Sequence, residues 1–182
     1  MTIDVHGAEN AYASGIHVQN STTNADGEES TVVINAENTV INVTADTDVD
    51  PTYGDNHAIG ISAFSQGKIE INGNLEINAA TVLSIRGGAV TKINAANDAS
   101  KTIKLNGDIN FNYQKESSGT PVQADVTINL ANADSYLKGN ILVNGLNIPQ
   151  GYDEVDSMKL GLANGAPVSY THLRAHETTL HL

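Results

Sequence analysis

Alternating aspartates form the group of side chains that most resembles a metal site in this sequence. Asp46, Asp48 and Asp50 alternate within TADTDVDPTYGD, and Asp55 follows close behind. Carboxylate oxygens at this spacing can surround a calcium ion. Pro51, however, stands where an EF-hand loop needs Gly, and the Glu at position 12 of such a loop is missing. A calcium site at the four aspartates and a solvated acidic loop both stay open, and we expect no other cofactor.

Histidines near the C-terminus have a spacing that suits zinc. His172 and His176 stand four residues apart, with Glu177 beside them and His181 nearby. On a helix, that spacing would place two imidazoles on one face as zinc ligands. The glutamate is not placed as in the HExxH motif, so we expect no zinc site here.

Catalytic groups are sparse. Asp134 and Ser135 adjoin in the sequence, and His17 or His57 would complete the residue types of a hydrolase triad. No serine, however, lies in a GxSxG motif. Arg86, followed by two glycines, is either a lone catalytic base or a solvated turn residue. We predict a non-enzymatic protein with no catalytic residues.

The composition restricts the kind of protein that positions these residues. The 182 residues are 40% hydrophobic but only 4% aromatic, which suits one folding unit with a continuous, narrow core. The formal net charge is -12, so nucleic acid would be repelled and is not expected as a partner. The lack of cysteine excludes disulfides and thiolate chemistry.

Three similar segments indicate a repeat protein. Residues 68–78 read KIEINGNLEIN, residues 102–112 read TIKLNGDINFN, and residues 137–144 read LKGNILVN. Apart from Leu142, their apolar residues fall at odd positions, and this period of 2 predicts strands with one buried face. These residues are Ile69, Ile71, Leu75 and Ile77, then Ile103, Leu105, Ile109 and Phe111, and finally Leu137, Ile141 and Val143.

The dipeptides Asn72-Gly73 and Asn106-Gly107 resemble two-residue hairpin turns. A hairpin at the first would pair Ile71 with Asn74, which places an apolar residue opposite a polar one on the same face. We therefore predict that each glycine forms a corner or bulge between short strands. A three-residue loop would restore apolar pairing, so a stack of antiparallel hairpins or a sandwich is the alternative fold.

The rest of the sequence contains further short strand patterns, and many of them also end in asparagine. Strands are predicted at 31–35, 39–43, 58–64, 82–85, 89–94 and 126–130, and inserted outward loops at 44–56 and 113–125. Asparagine ends many of these segments, and it either forms hydrogen-bonded ladders between equivalent corners or simply suits turns. The recurring residues are Asn35, Asn42, Asn72, Asn78, Asn94, Asn106, Asn112, Asn129 and Asn144.

These segments carry a family resemblance. GISAFSQGKIEINGNLEIN, KTIKLNGDINFN, VTINLANADSYLKGNILVNG and MKLGLANGA resemble the passenger domains of bacterial autotransporters, the type V secretion proteins. The resemblance covers roughly residues 11–166 as a style of repeat, without a catalytic motif. It implies an all-β, right-handed parallel β-helix of the pectin-lyase-like kind, displayed at the outer surface of a Gram-negative bacterium and often adhesive.

The sequence departs from that family at both termini. A complete passenger protein would begin with a signal peptide and end with a membrane barrel, and neither is present, so we expect a fragment attached to a membrane only through a missing C-terminal barrel. Residues 1–166 would form the β-helix passenger fragment. Residues 167–182 include SYTHLRAHET, which resembles translated sequencing-adapter read-through, and are expected to be non-native.

The expected function is therefore that of an adhesive or structural segment at the bacterial cell surface. Its expected partners are molecules on host or neighbouring cells, contacted through many weak sites on a repeated surface. The alternative is a carbohydrate-active β-helix enzyme, a polysaccharide lyase or hydrolase, which would need paired carboxylates or a basic residue in one groove.

Overall fold

The computed structural model describes residues 1–8, 11–20, 30–46, 58–112, 124–144, 157–162 and 168–169. These residues form strands, and they contain no helix. The strands are β1 (Thr2–Gly7), β2 (Ala13–Gln19), β3 (Thr31–Ile34), β4 (Asn38–Ala45), β5 (Ala58–Phe64), β6 (Lys68–Ile71), β7 (Asn74–Arg86), β8 (Val90–Ile93), β9 (Ile103–Asn112), β10 (Asp125–Leu130), β11 (Tyr136–Lys138), β12 (Ile141–Asn144), β13 (Ser157–Leu162) and β14 (Val168–Ser169).

Every strand pairing among the described residues is parallel. The all-β prediction is confirmed, whereas the alternative of antiparallel hairpins or a sandwich is wrong. In a hairpin, strands that follow each other along the chain would pair in antiparallel orientation. Parallel pairing instead sets Ile71 beside Ile93, and Ile77 beside Leu105.

The strands form two sheets, and the larger one has two limbs. In the first limb, β1, β4, the start of β7, the start of β9, β11 and β14 lie in that order. In the second limb, β2, β5, the end of β7, the end of β9 and β12 lie side by side. The register of β7 against β9 shifts between Asn78 and Leu83, and this irregularity joins the limbs.

The smaller sheet completes a repeating path. Its order is β13, β10, β8, β6, β3. Along the chain, a strand of the first limb is followed by one of the second limb and then one of the smaller sheet, and this succession occurs five times before β14. Each strand therefore pairs with the equivalent strands of the preceding and following passes, not with its neighbour in sequence.

Aliphatic columns run across the strands and form the core. In the smaller sheet, Ile34, Ile71, Ile93 and Ile128 occupy one row, and all four are buried. The β-branched shape of isoleucine packs well on a pleated surface. Each fully buried side chain of this size stabilises the fold by roughly 1.5–3 kcal/mol relative to its exposed state.

The first limb contributes a parallel column. Ile41, Ile77, Leu105 and Leu137 are paired in register and have no accessible surface. The inward direction predicted for the odd-numbered apolar residues of the repeats is thereby confirmed for the residues whose burial is described, apart from Ile141, which is half-buried.

The first two repeat segments do not stack as their sequences suggest. Residues 75–78 pair with residues 103–106, so KIEIN and TIKLN lie in different sheets. The predicted strand at 82–85 is also not separate, because it forms the end of the 13-residue β7. Residues 137–144, in contrast, pair with residues 105–112, as the alignment of their patterns predicts.

Candidate functional site

A ladder of amide side chains crosses the outer face of the first limb. Asn42 Nδ2 donates to Asp4 Oδ1 at 2.8 Å, Asn78 Nδ2 to Asn42 Oδ1 at 2.9 Å, and Asn106 Nδ2 to Asn78 Oδ1 at 2.7 Å. Parallel pairing in register brings these residues side by side. Aspartate suits the last position because a carboxylate accepts hydrogen bonds and donates none. The predicted asparagine ladder is confirmed here.

Equivalent corners carry further asparagine contacts. Asn72 Nδ2 donates to Asn35 Oδ1 at 2.9 Å, directly after the isoleucine column of the smaller sheet. Asn129 Nδ2 donates to the Asn94 carbonyl at the same distance, at the equivalent corner two passes further along the stack. The side chains of Asn112 and Asn144 lie outside the described part of the structure.

One amide pair was missed in the sequence. Asn74 Nδ2 donates to Asn38 Oδ1 at 2.9 Å, and Asn74 Oδ1 accepts from the Thr102 backbone N–H at 2.8 Å. These asparagines begin their strands, whereas the sequence pattern drew attention to asparagines that end them. The signal available was the position of each one, three residues before the isoleucine that joins the first-limb column.

The turn after β8 holds a carboxylate in its charged form. The Asp98 N–H donates to Asn94 Oδ1 at 3.0 Å, and Asp98 Oδ1 accepts from the Ser100 N–H at 2.9 Å. The hydrogen bond from the Ser100 backbone, helped by the Ser100 side chain, lowers the pKa of Asp98 below its ordinary value. The exposed turn therefore keeps its negative charge to lower pH than a free aspartate would.

A groove of about 540 Å³ lies beside the ladder on the first limb. Glu76, Lys104 and Tyr136 occupy one row across β7, β9 and β11. The Tyr136 hydroxyl accepts from Asn106 Nδ2 at 3.1 Å, and the Lys138 ammonium lies 5.2 Å from the centre of the tyrosine ring. The lining residues are Asn38, Thr39, Val40, Asn74, Leu75, Glu76, Thr102, Lys104, Asp134 and Tyr136.

This groove can bind a polar ligand through several kinds of contact. Its amides both donate and accept hydrogen bonds, Lys104 only donates, and Glu76 only accepts when ionised. Tyr136 adds an aromatic surface with a polar end, a combination that recurs at binding surfaces. The groove is mixed in charge because Asp134 and Glu76 line it together with Lys104.

Of the predicted calcium ligands, only Asp46 falls within the described residues. It follows β4, and its carboxylate lies 3.3 Å from His6 Nε2. Asp48, Asp50 and Asp55 lie outside the described residues. In the portions of the chain with described structure, no group of three metal-binding side chains is found.

The His6 ring contacts both the Asp46 carboxylate and the Thr44 hydroxyl, an arrangement that was not predicted from the sequence. His6 Nδ1 and Thr44 Oγ1 share a hydrogen bond of 2.9 Å, because parallel pairing places the two residues side by side. The side chains of His6 and Asp46 are 62% and 56% exposed, so water screens their interaction. These contacts lie at the exposed surface of the sheet.

The residue types of a hydrolase triad are not brought together among the described residues. Ser135 is buried, and its hydroxyl contacts Asn132 Oδ1 and the Ile103 N–H, each at 3.0 Å. His17 belongs to the second limb, where it contacts Ser62 at 3.1 Å. His57 and the C-terminal residues His172, His176, Glu177 and His181 lie outside the described residues. Both predicted inserted loops also fall mainly there.

Comparison with known proteins found no similar protein. No family model, curated protein or solved structure matches this chain. Over the described residues, no helix is long and apolar enough to cross a membrane. The groove and the ladder are therefore interpreted from their own chemistry.

Proposed function

We propose that the chain is a segment of a right-handed parallel β-helix. The repeated succession of first limb, second limb and smaller sheet supports this proposal, together with aliphatic columns that continue from pass to pass. Winding of the β-helix type requires each strand to pair with the equivalent strand one turn away. An experimental structure tests the proposal, and left-handed winding would contradict it.

Within this fold, we propose an adhesive or structural role, as in an autotransporter passenger segment at a bacterial cell surface. The observation that carries the proposal is the polar outer face of the first limb, where the asparagine ladder and the groove lie side by side. Side chains paired to each other across successive strands form a stiff surface of repeated hydrogen-bonding groups. Many weak contacts along such a surface add up to useful avidity.

Cell binding by the labelled full chain tests the adhesive role. We expect saturable binding to epithelial or Gram-negative cells, and a clear loss of binding in the groove variant Lys104→Gln/Tyr136→Ala. Lys92→Gln is the matched control, because Lys92 is an exposed lysine on the smaller sheet. Thermal unfolding of each variant checks that the fold is kept.

Two results would separate the roles. Equal loss of binding in Lys92→Gln and in the groove variant would contradict adhesion through the groove. If the parent chain bound neither cell type, the structural role would be the one that stands.

A carbohydrate-active enzyme is the second candidate, and one observation favours it. Glu76 and Asp134 line the same groove, and hydrolysis of glycosidic bonds uses a pair of carboxyl groups. Release of reducing sugars from acidic polysaccharides, abolished by Glu76→Gln and by Asp134→Asn, would establish this candidate. Such a result would reject the non-catalytic role.

A further inference from the structure

A second cluster of side chains lies on the other limb, away from the groove. Arg86 ends β7, and its guanidinium carbon lies 3.7 Å from the centre of the Phe64 ring. His17 meets the same ring edge-on, with ring centres 5.4 Å apart and an interplanar angle of 80°. We call Arg86, Phe64 and His17 the arginine cluster.

Stacked turns hold the cluster in place. Ser65 and Gln66 adopt left-handed φ values of 48° and 64°, and Gly87 and Gly88 follow with 64° and 73°. The Gln66 N–H donates to the Gly87 carbonyl at 2.7 Å, which ties the two turns together directly after Phe64 and Arg86. A positive φ is uncommon for residues with a side chain, such as Ser65 and Gln66, whereas glycine adopts it readily.

His17 is itself anchored, so the aromatic ring has a fixed neighbour. Its Nδ1 atom is 3.1 Å from the Ser62 hydroxyl, and Ser62 is buried on the adjacent strand. Its Nε2 atom is 3.4 Å from Gln19 Oε1. The cluster is therefore pre-organised before any ligand arrives.

Within the part of the chain that the structure describes, Arg86 has no carboxylate partner. Its Nε atom is buried and has no hydrogen-bond partner among the residues with described positions. Desolvating part of a cation without a counter-charge is unfavourable, and it is unexpected in a chain with a formal charge of -12. An anion bound at Arg86 would remove this cost.

We propose that the arginine cluster binds the carboxylate group of a ligand. A guanidinium presents paired N–H donors in a plane, which matches the two oxygens of a carboxylate. Phe64 covers one face of that plane and directs the anion to its edge. A singly charged carboxylate suits the site better than phosphate or sulfate, because Arg86 is the only arginine in the described residues and the chain is acidic. This site does not depend on the proposed cell-surface role.

Titration of the ¹⁵N-labelled full chain followed by NMR tests the proposal. The probes are sodium glucuronate, sodium acetate as the bare carboxylate, and glucose as the uncharged sugar. We expect saturable shifts at the Phe64, Arg86 and Gly87 amides with glucuronate. Acetate shows whether the carboxylate alone is enough, and glucose should cause no such shifts.

Substitutions identify the group that binds. Arg86→Gln should weaken glucuronate binding about tenfold or more, since it removes a hydrogen bond between charged groups. Arg86→Lys keeps the charge but not the paired donors, and should fall in between. Phe64→Leu should weaken binding about two- to fivefold through loss of the stacked ring. Lys92→Gln is the charge-matched control and should bind as the parent does.

Two outcomes would overturn the proposal. The first is unchanged glucuronate binding by Arg86→Gln in a variant whose amide spectrum shows the native fold. The second is an equal response to glucose and glucuronate.

Discussion

The same dipeptide serves two different purposes in this molecule. Asn72-Gly73 turns the chain from β6 in the smaller sheet to β7 in the first limb. Asn106-Gly107 lies inside the continuous strand β9, next to the place where its register against β7 shifts. One is a corner between sheets and the other is a bulge that joins two limbs.

Gly73 and Gly107 differ in backbone conformation although neither position leaves room for a side chain. A Cβ atom on Gly73 would overlap the Ala36 carbonyl oxygen, and one on Gly107 would overlap the Ala79 carbonyl oxygen. Only Gly107 has a φ in the left-handed region, at 138°. The neighbouring turn of the chain therefore excludes a side chain in both places, whereas the backbone conformation adds a second reason for glycine only at Gly107.

Burial before each dipeptide should be equivalent, and charge can test this. Ile71 and Leu105 precede the two asparagines and have no accessible surface. We expect Ile71→Asp and Leu105→Asp each to lower the free energy of unfolding by roughly 4 kcal/mol or more, because each would bury an unpaired carboxylate. Urea unfolding followed by circular dichroism measures this loss. A variant that unfolds like the parent would show that its side chain does not point inward.

The two glycines should differ in their tolerance of alanine. Gly107→Ala should destabilise by roughly 2–4 kcal/mol, through both overlap and backbone strain. Gly73→Ala should cost about 1–3 kcal/mol, since overlap alone opposes it. Thermal unfolding of the pair measures the difference. A larger loss at Gly73 would contradict the distinction between corner and bulge.

Substitution of the asparagines should also cost more stability at the bulge than at the corner. Asn106 Nδ2 donates both to Asn78 and to Tyr136, and it is partly buried. Asn72 Nδ2 makes one exposed bond, to Asn35. We expect Asn106→Ala to cost about 1–2 kcal/mol and Asn72→Ala less than about 1 kcal/mol in urea unfolding. Equal costs would mean that the additional hydrogen bonds of Asn106 contribute nothing to stability.

The smallest effect should come from the tyrosine hydroxyl. Tyr136→Phe keeps the ring in the groove but removes the acceptor for Asn106 Nδ2. The expected cost is about 0.5–1 kcal/mol in the free energy of unfolding, because the amide keeps its other partner. Combined with Asn106→Ala, this change should cost little more than Asn106→Ala alone. Full additivity of the two costs would show that the hydroxyl and the amide do not interact.

Much of the fold was predictable from local pattern, but the pairing of the segments was not. The odd-numbered residues Ile69, Ile77 and Ile109 are buried as the period of 2 indicates. The similarity of KIEIN to TIKLN suggested stacked equivalents, yet these segments lie in different sheets. Side-chain alternation fixes which face is buried, and it contains no information about which of several similar strands becomes the neighbour.

The candidate sites were predictable only in part. Asparagine recurrence indicated the ladder that Asn42, Asn78 and Asn106 form. Arg86 was interpreted as either a lone catalytic base or a solvated turn residue, and its contact with Phe64 was not predicted. That contact joins residues far apart in sequence through parallel pairing of β5 with β7. Long-range register of this kind has no local signal.

The sequence by itself determined that this chain forms strands with one aliphatic and one polar face, with glycine and asparagine where the backbone must turn. Side-chain period and residue shape are local properties, and they act before any strand has a partner. Only the tertiary structure decided which strands meet, and hence which amides form the ladder and which ring covers Arg86. Register between distant strands depends on the summed packing of the whole stack, which no short segment encodes.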